Sequence, residues 1–183
     1  MPRFVLRAAI ATACVAVGIS LGVVLVPGAG ATTRIPAGTI TFVNLTSTRC
    51  IGIDGGKAGI FNCTYLRDQA WNVIRTRSAE GVSWAQLQNN SGQCLGVAGD
   101  STKAGARVVA QACSRSNRSQ YWNNTKEGVV CGAGFTPIVN LKSGDVVGVS
   151  GGDTGNGSAV VIFGYQKTCN NQFWVSKVDL TQV

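Results

Sequence analysis

Histidine is absent from the 183-residue chain, which excludes His-dependent triads and the usual imidazole metal sites. Carboxylates are scarce as well, with 8 Asp and Glu against 16 Lys and Arg. They fall mostly in turn-like stretches, and nothing marks a glycosidase pair flanking a scissile bond. Leucine is sparse, and no window after residue 40 carries a sustained apolar i, i+3, i+4 stripe, so helices are not expected. A phosphate cradle is missing too: "GVSGGDTGNGS" holds glycines for turns without a Lys-Ser/Thr ending. The cations do not form runs with interleaved aromatics, so the charge reads as a solvated surface and no nucleic-acid partner is expected. Neither an enzyme nor a metal or other cofactor is indicated.

Glycine is abundant, at 24 residues. Short apolar runs such as "TITFVNL", "RVVAQA" and "AVVIFGY" lie between Gly, Asn, Ser and Asp clusters, the texture of short strands joined by turns. The fold class is therefore all-β. At the N-terminus, Arg3 and Arg7 precede an apolar run over 8–26, then Pro27, Gly28 and the small residues Ala29-Gly30-Ala31. That order describes a signal peptide over 1–31, with Thr32 as the mature N-terminus. A retained anchor is the rival, since nineteen uncharged residues could just span a bilayer. Cleavage leaves one domain over 32–183, exported, with no membrane insertion and a net charge lowered from +8 by the loss of two arginines.

Aligning the tryptophans exposes an internal repeat. "RDQAW", "RSQYW" and "NNQFW" each close with Gln-x-Trp, at Gln69/Trp71, Gln120/Trp122 and Gln172/Trp174. Three copies result, at about 42–74, 86–125 and 138–176. Each has an apolar opening strand, a turn, a second strand, a glycine-rich loop and a further strand. Units so small must share one core, so Trp71, Trp122 and Trp174 are expected at its centre. Six cysteines remain after the leader, and in an oxidising compartment three disulfides are the default. Cys50 and Cys63 flank the loop of copy one, and Cys94 and Cys113 that of copy two. Copy three has Val146 and Tyr165 there, suggesting packing in place of a bridge. Cys131 and Cys169, left over, are predicted to pair.

These residues carry a resemblance. Three Gln-x-Trp repeats, each behind a Cys/Val-x-Gly strand and a loop such as "GDSTKAG" or "GDTGNGS", resemble the ricin B-type lectin family over 42–174. The resemblance implies a β-trefoil, a barrel capped by three hairpins, and a sugar pocket in each repeat. It further implies an Asp in the second strand, an aromatic platform two residues before the second cysteine position, and an Asn-Gln pair opening the Gln-x-Trp. An aromatic face stacks on the C–H face of a pyranose while carboxylates or amides take its hydroxyls. The Asp position reads Gly52, Gly96 and Gly148 in this chain. The platform reads Phe61, Gln111 and Phe163; the residue before Gln reads Asp68, Ser119 and Asn171. Copy three is therefore the expected site, through Phe163, Asn171 and Gln172, with Asp153 as a substitute carboxylate. Phe61, Asp68 and Gln69 are weaker candidates in copy one. The expected partner is a glycan or polysaccharide. The alternative is a trefoil that has lost sugar binding and docks a protein, as a toxin-delivery subunit or inhibitor would. A Phe163 converging with Asp153 at a surface dimple would favour the first, a buried ring the second. Asn44-Leu45-Thr46 is one of several N-x-S/T triplets, relevant where exported proteins are glycosylated.

Overall fold

A computed structural model describes residues 39–64, 68–124, 131–132 and 134–178; the expected signal peptide lies outside them. Copy one forms β1 (Ile40–Asn44), β2 (Cys50–Asp54), β3 (Lys57–Phe61) and β4 (Trp71–Ala79). Copy two forms β5 (Val82–Asn89), β6 (Gln93–Val97), β7 (Val108–Ala112) and β8 (Tyr121–Asn123). Copy three forms β9 (Thr136–Pro137), β10 (Val139–Asn140), β11 (Val146–Val149), β12 (Ser158–Phe163) and β13 (Phe173–Val178).

The first and last strands of the copies close a ring: β1 pairs with β4, β4 with β5, β5 with β8, and β8 with β10; β9 pairs with β13, and β13 with β1. The middle strands make three antiparallel hairpins, β2–β3, β6–β7 and β11–β12. The hairpins touch one another through β3–β12, β3–β7 and an Arg107–Val161 bridge. A closed six-part barrel under a triplet of hairpins is a β-trefoil. Closure leaves the barrel without an exposed edge. Two details depart from three equal copies. The opening strand of copy three is split at Ile138, next to Pro137, whose ring nitrogen cannot donate to a ladder. β4 and β5 run past the barrel as a ribbon joined at Glu80-Gly81, with φ values of 55° and 75°, as a two-residue hairpin turn of this hand requires. The expected repeat edges near 74 and 86 fall inside this ribbon.

Trp71, Trp122 and Trp174 are fully buried in one cluster with Ile51, Leu95 and Val147. The Nε1 of Trp122 donates to the Leu95 carbonyl at 2.9 Å, and that of Trp174 to Val147 at 2.9 Å. In copy one, with the shortened loop, the Trp71 Nε1 has no partner among the described residues. Three buried asparagines tie the turns together, a role the sequence reading missed. Asn44, Asn89 and Asn140 each accept from two backbone amides of the following turn through Oδ1. Asn44 also donates to the Asn171 carbonyl and Asn140 to the Ser119 carbonyl, each at 2.8 Å, fastening one repeat to the previous Gln-x-Trp. Asn44 is thus a buried staple, not an accessible glycan acceptor.

The disulfides are Cys50–Cys63, Cys94–Cys113 and Cys131–Cys169, closing 13, 19 and 38 residues of sequence. Chain-entropy reasoning gives about 3 kcal/mol for each of the first two and about 4 for the third. The substitute plug in copy three does not form as expected. Val146 is buried, but Tyr165 is 37% exposed and its ring meets Phe173 at 6.2 Å, tilted by 51°.

Candidate functional site

The three pseudo-equivalent sites lie where a Gln-x-Trp segment crosses the face of a hairpin, and they are not equivalent. In copy three, strand β12 ends on Phe163, half-buried, and β11 carries Gly148 opposite Val161. The segment before Trp174 folds back so that Asn171 Oδ1 lies 3.3 Å from where a Cβ on Gly148 would stand, with the Phe163 ring 3.8 Å away. Asn171 Nδ2 donates to the Val149 carbonyl at 3.2 Å, which fixes the carboxamide's orientation. Gly152, at φ +68°, lets the loop pass close to Asn171: a Cβ there would come within 3.1 Å of Nδ2. The result is a shallow cleft of about 340 Å³ lined by Phe163, Gly164, Gln166, Asn171, Gln172 and the Val149–Gly152 turn.

Of the residues expected in this site, Phe163, Asn171 and Gln172 come together and Asp153 does not line the cleft. Asp153 is fully exposed, and its Oδ1 accepts from the Gly155 amide at 3.0 Å. That bond, with the Ser158 hydroxyl, holds its carboxyl below the ordinary carboxylate value. It shapes its own turn, as aspartates at such positions do. Gln172 is buried, and both polar ends of its amide are engaged: Nε2 donates to the Gly164 carbonyl at 2.9 Å and Oε1 accepts from the Gln166 amide at 2.8 Å. It offers the cleft its aliphatic stem and clamps the cleft's outer wall. Asn170 Nδ2 adds a bond to Gln166 Oε1, and Cys169 is bonded to Cys131. The wall is therefore held at both ends.

Gln69 and Gln120 repeat this clamp. Gln69 donates to the Asn62 carbonyl and accepts from the Thr64 amide, each at 2.9 Å; Gln120 does the same with Ala112 and Ser114 at 2.8 Å. The Gln of Gln-x-Trp is thus a backbone brace throughout. Copy one retains a ring and a charge: the Phe61 ring lies across Gly52 and Gly59, and Asp68 Oδ2 stands 2.9 Å from a Cβ on Gly52. The Asp68 carboxylate accepts no hydrogen bond and has no ion pair among the described residues, and it occupies the space of the missing second-strand Asp. Beside it, Arg49 Nη1 donates to Asn62 Oδ1 and Nε to the Thr154 carbonyl, joining this rim to the long loop of copy three.

Copy two is closed. Gln111, in the platform position, reaches its Nε2 into the slot over Gly96, where that atom is buried with no partner among the described residues. Asp100, at the position matching Gly152, accepts from Ser119 Oγ at 2.7 Å and Asn117 Nδ2 at 2.5 Å. The Ser119 bond first, then Asn117 and the charge of Lys142, hold its carboxyl below the ordinary value against the opposing effect of burial. Among the described residues no cluster of three His, Cys, Asp or Glu could hold a metal ion.

Comparison with known proteins adds a family and a set of shapes. The family model described as ricin-type β-trefoil lectin domain-like matches residues 67–163. No curated protein matches the chain. Among solved structures, the designed threefold-symmetric protein ThreeFoil superposes with a TM-score of 0.66 at 23% identity, over 78% of this chain and 99% of its own. The ricin B-like lectin of Macrolepiota procera, solved in complex with lactose, gives 0.59 at 18% identity, over 80% and 99%. An exo-β-1,3-galactanase from Clostridium thermocellum gives 0.67 at 19%, over 79% of this chain, which spans only 31% of that enzyme. At such identities the structural likenesses establish the fold.

Proposed function

The chain belongs to the ricin-type β-trefoil lectin-like family, and from that premise we propose that it is a secreted, non-catalytic carbohydrate-binding domain whose working pocket is the third-repeat cleft. The observation that carries the reading is the meeting of the Phe163 ring and the Asn171 carboxamide over Gly148. The ring supplies a platform for the C–H face of a sugar. Asn171 Oδ1 accepts from a hydroxyl while its Nδ2 stays on Val149. A neutral amide and a half-buried ring in an open cleft remove little surface from water, so the affinity for one sugar is low and useful binding comes from repeated epitopes. Copy one, with Phe61 beside the Asp68 carboxylate, is the second pocket and makes such multivalency available within one domain. Secretion is supported by the leader-like order of residues 1–31 and by three disulfides. The non-catalytic reading rests on the absence of histidine and on Asp100 and Asp153 being bound up in their own turns.

The test is a glycan array and polysaccharide pull-down with the wild-type domain and Phe163→Ala. Retention that drops about tenfold or more in Phe163→Ala, the scale of one lost stacking contact, supports the reading. No retention on any glycan, or retention unchanged by the substitution, overturns it. One observation favours the protein-docking alternative: the copy-two pocket is filled by its own Gln111 and Asp100. That alternative is marked by a protein partner that free sugars fail to displace.

A further inference from the structure

The charge that reads as scattered along the sequence is gathered by the fold. Tyr121 lies at the centre of the gathering. Arg77 stacks on its ring, with the guanidinium carbon 5.1 Å from the centroid. Its hydroxyl donates to the Arg115 carbonyl at 3.2 Å. Gln86, its partner across β5–β8, accepts at 2.7 Å from Arg75 Nη1. Arg118, three residues before the start of β8, points to the Glu80 turn, Nη2 to Oε1 4.0 Å. Arg75 and Arg77 are two apart on one strand past a bulge, so they project to the same side.

Two features make this more than a solvated face. Two of the guanidinium groups are held by neutral partners, a buried amide for Arg75 and a ring face for Arg77, so their positions are fixed while their charge is uncompensated; Arg115 adjoins them through its backbone carbonyl. Among the described residues the acid paired with them is Glu80, which is 79% exposed and at the limit of ion-pair distance, a contact of little strength. We propose that Arg75, Arg77, Arg115 and Arg118 form a second binding site, separate from the third-repeat cleft, for an anionic glycan bearing sulfate or uronate groups. The choice of a glycan rests on the lectin reading above; the anionic character rests on the array itself. Nucleic acid is disfavoured because the aromatics beneath the array, Trp84 at 8% and Tyr121 at 3% exposure, are too buried for a base to stack on. A forked guanidinium matches sulfate and carboxylate equally, so the two sources are separated by experiment.

The measurement is binding of the full chain to a heparin oligosaccharide and to oligogalacturonate of equal length, across a salt series. Three variants accompany the wild type: R75Q/R77Q/R115Q/R118Q; K57Q/K103Q/K167Q/K177Q, which removes the same charge from exposed positions elsewhere; and Phe163→Ala. Circular dichroism and thermal melts establish that each is folded. The expected result is salt-sensitive binding, weakened at least tenfold in the arginine variant and less than threefold in the other two. Binding to heparin alone assigns sulfate; binding to both assigns any anionic group. Equal losses in the arginine and lysine variants mean bulk charge and overturn the proposal, as do absent binding by the wild type, loss of binding in Phe163→Ala, or tighter binding to a DNA duplex of matched charge. The arms are separable, because loss of neutral-glycan retention in Phe163→Ala concerns the cleft and leaves the arginine result standing. Should the quadruple variant not fold, the paired variants R75Q/R77Q and R115Q/R118Q are each expected to lose about half of the effect on the logarithmic scale, and no loss in either overturns the proposal.

Discussion

Glycine at 148 opens a space on the hairpin that Asn171 and Phe163 then share, so adding even a methyl group should be felt in the cleft first. A Cβ there would stand 3.1 Å from the Gln172 stem and 3.3 Å from Asn171 Oδ1. Gly148→Ala is expected to weaken glycan binding about tenfold and to cost about 1–2 kcal/mol of stability by overpacking, read by calorimetric titration and thermal melts. Asp100 tests a different kind of side chain. A carboxyl held below its ordinary value stabilises the fold above that value and loses the contribution as pH falls through the folded value. Asp145, raised by burial, acts in the opposite sense. In a series of melting temperatures from pH 6 to pH 2, Asp100→Asn is expected to flatten the decline below about pH 4; an unchanged acid limb contradicts the role given to Ser119 and Asn117. At this scale Phe163 and Asn171 were legible, because register against the other copies fixes their positions. The direction of Asp153 was not: local turn bonds decide where a short polar side chain points, and the sequence carries both the turn and the pocket reading.

The segment 164–172 is the element on which the cleft depends, and it has no ladder of its own until Phe173. Gln172, Asn170 and the Cys131–Cys169 bridge hold it. Removing that bridge by Cys131→Ser with Cys169→Ser is expected to cost up to about 4 kcal/mol and to weaken glycan binding as well. Removing Cys94 and Cys113 is expected to cost about 3 kcal/mol while leaving binding in the folded fraction intact. Denaturant titrations paired with binding curves separate the two, and equal effects on binding contradict the assigned role. The hairpins were readable from the cysteine and glycine spacing. The β4–β5 ribbon was not, because Glu80-Gly81 sits between two copies and an alignment on tryptophans places it in neither. For the same reason the proposed arginine array escaped a linear reading: Arg75 on β4 and Arg118 just before β8 flank one strand only when β5 pairs with both β4 and β8.

Across the molecule, three tryptophans make one core, and three chemically different sites surround it. Truncating one indole should remove support from all three repeats together: Trp174→Ala is expected to cost about 3–5 kcal/mol, with a single unfolding transition. The trefoil was legible because repetition multiplies a weak signal threefold; site activity was not, because each copy decides it with one or two residues. The central claim is that glycan enters at the third repeat, and a ¹H–¹⁵N correlation titration with a glycan retained on the array tests it most directly. Shifts concentrated at 149–152, 163–166 and 171–172, lost in Phe163→Ala, are the expected result. Shifts centred on the matching copy-two positions, 96, 111 and 119, or spread without focus over the surface, would contradict it.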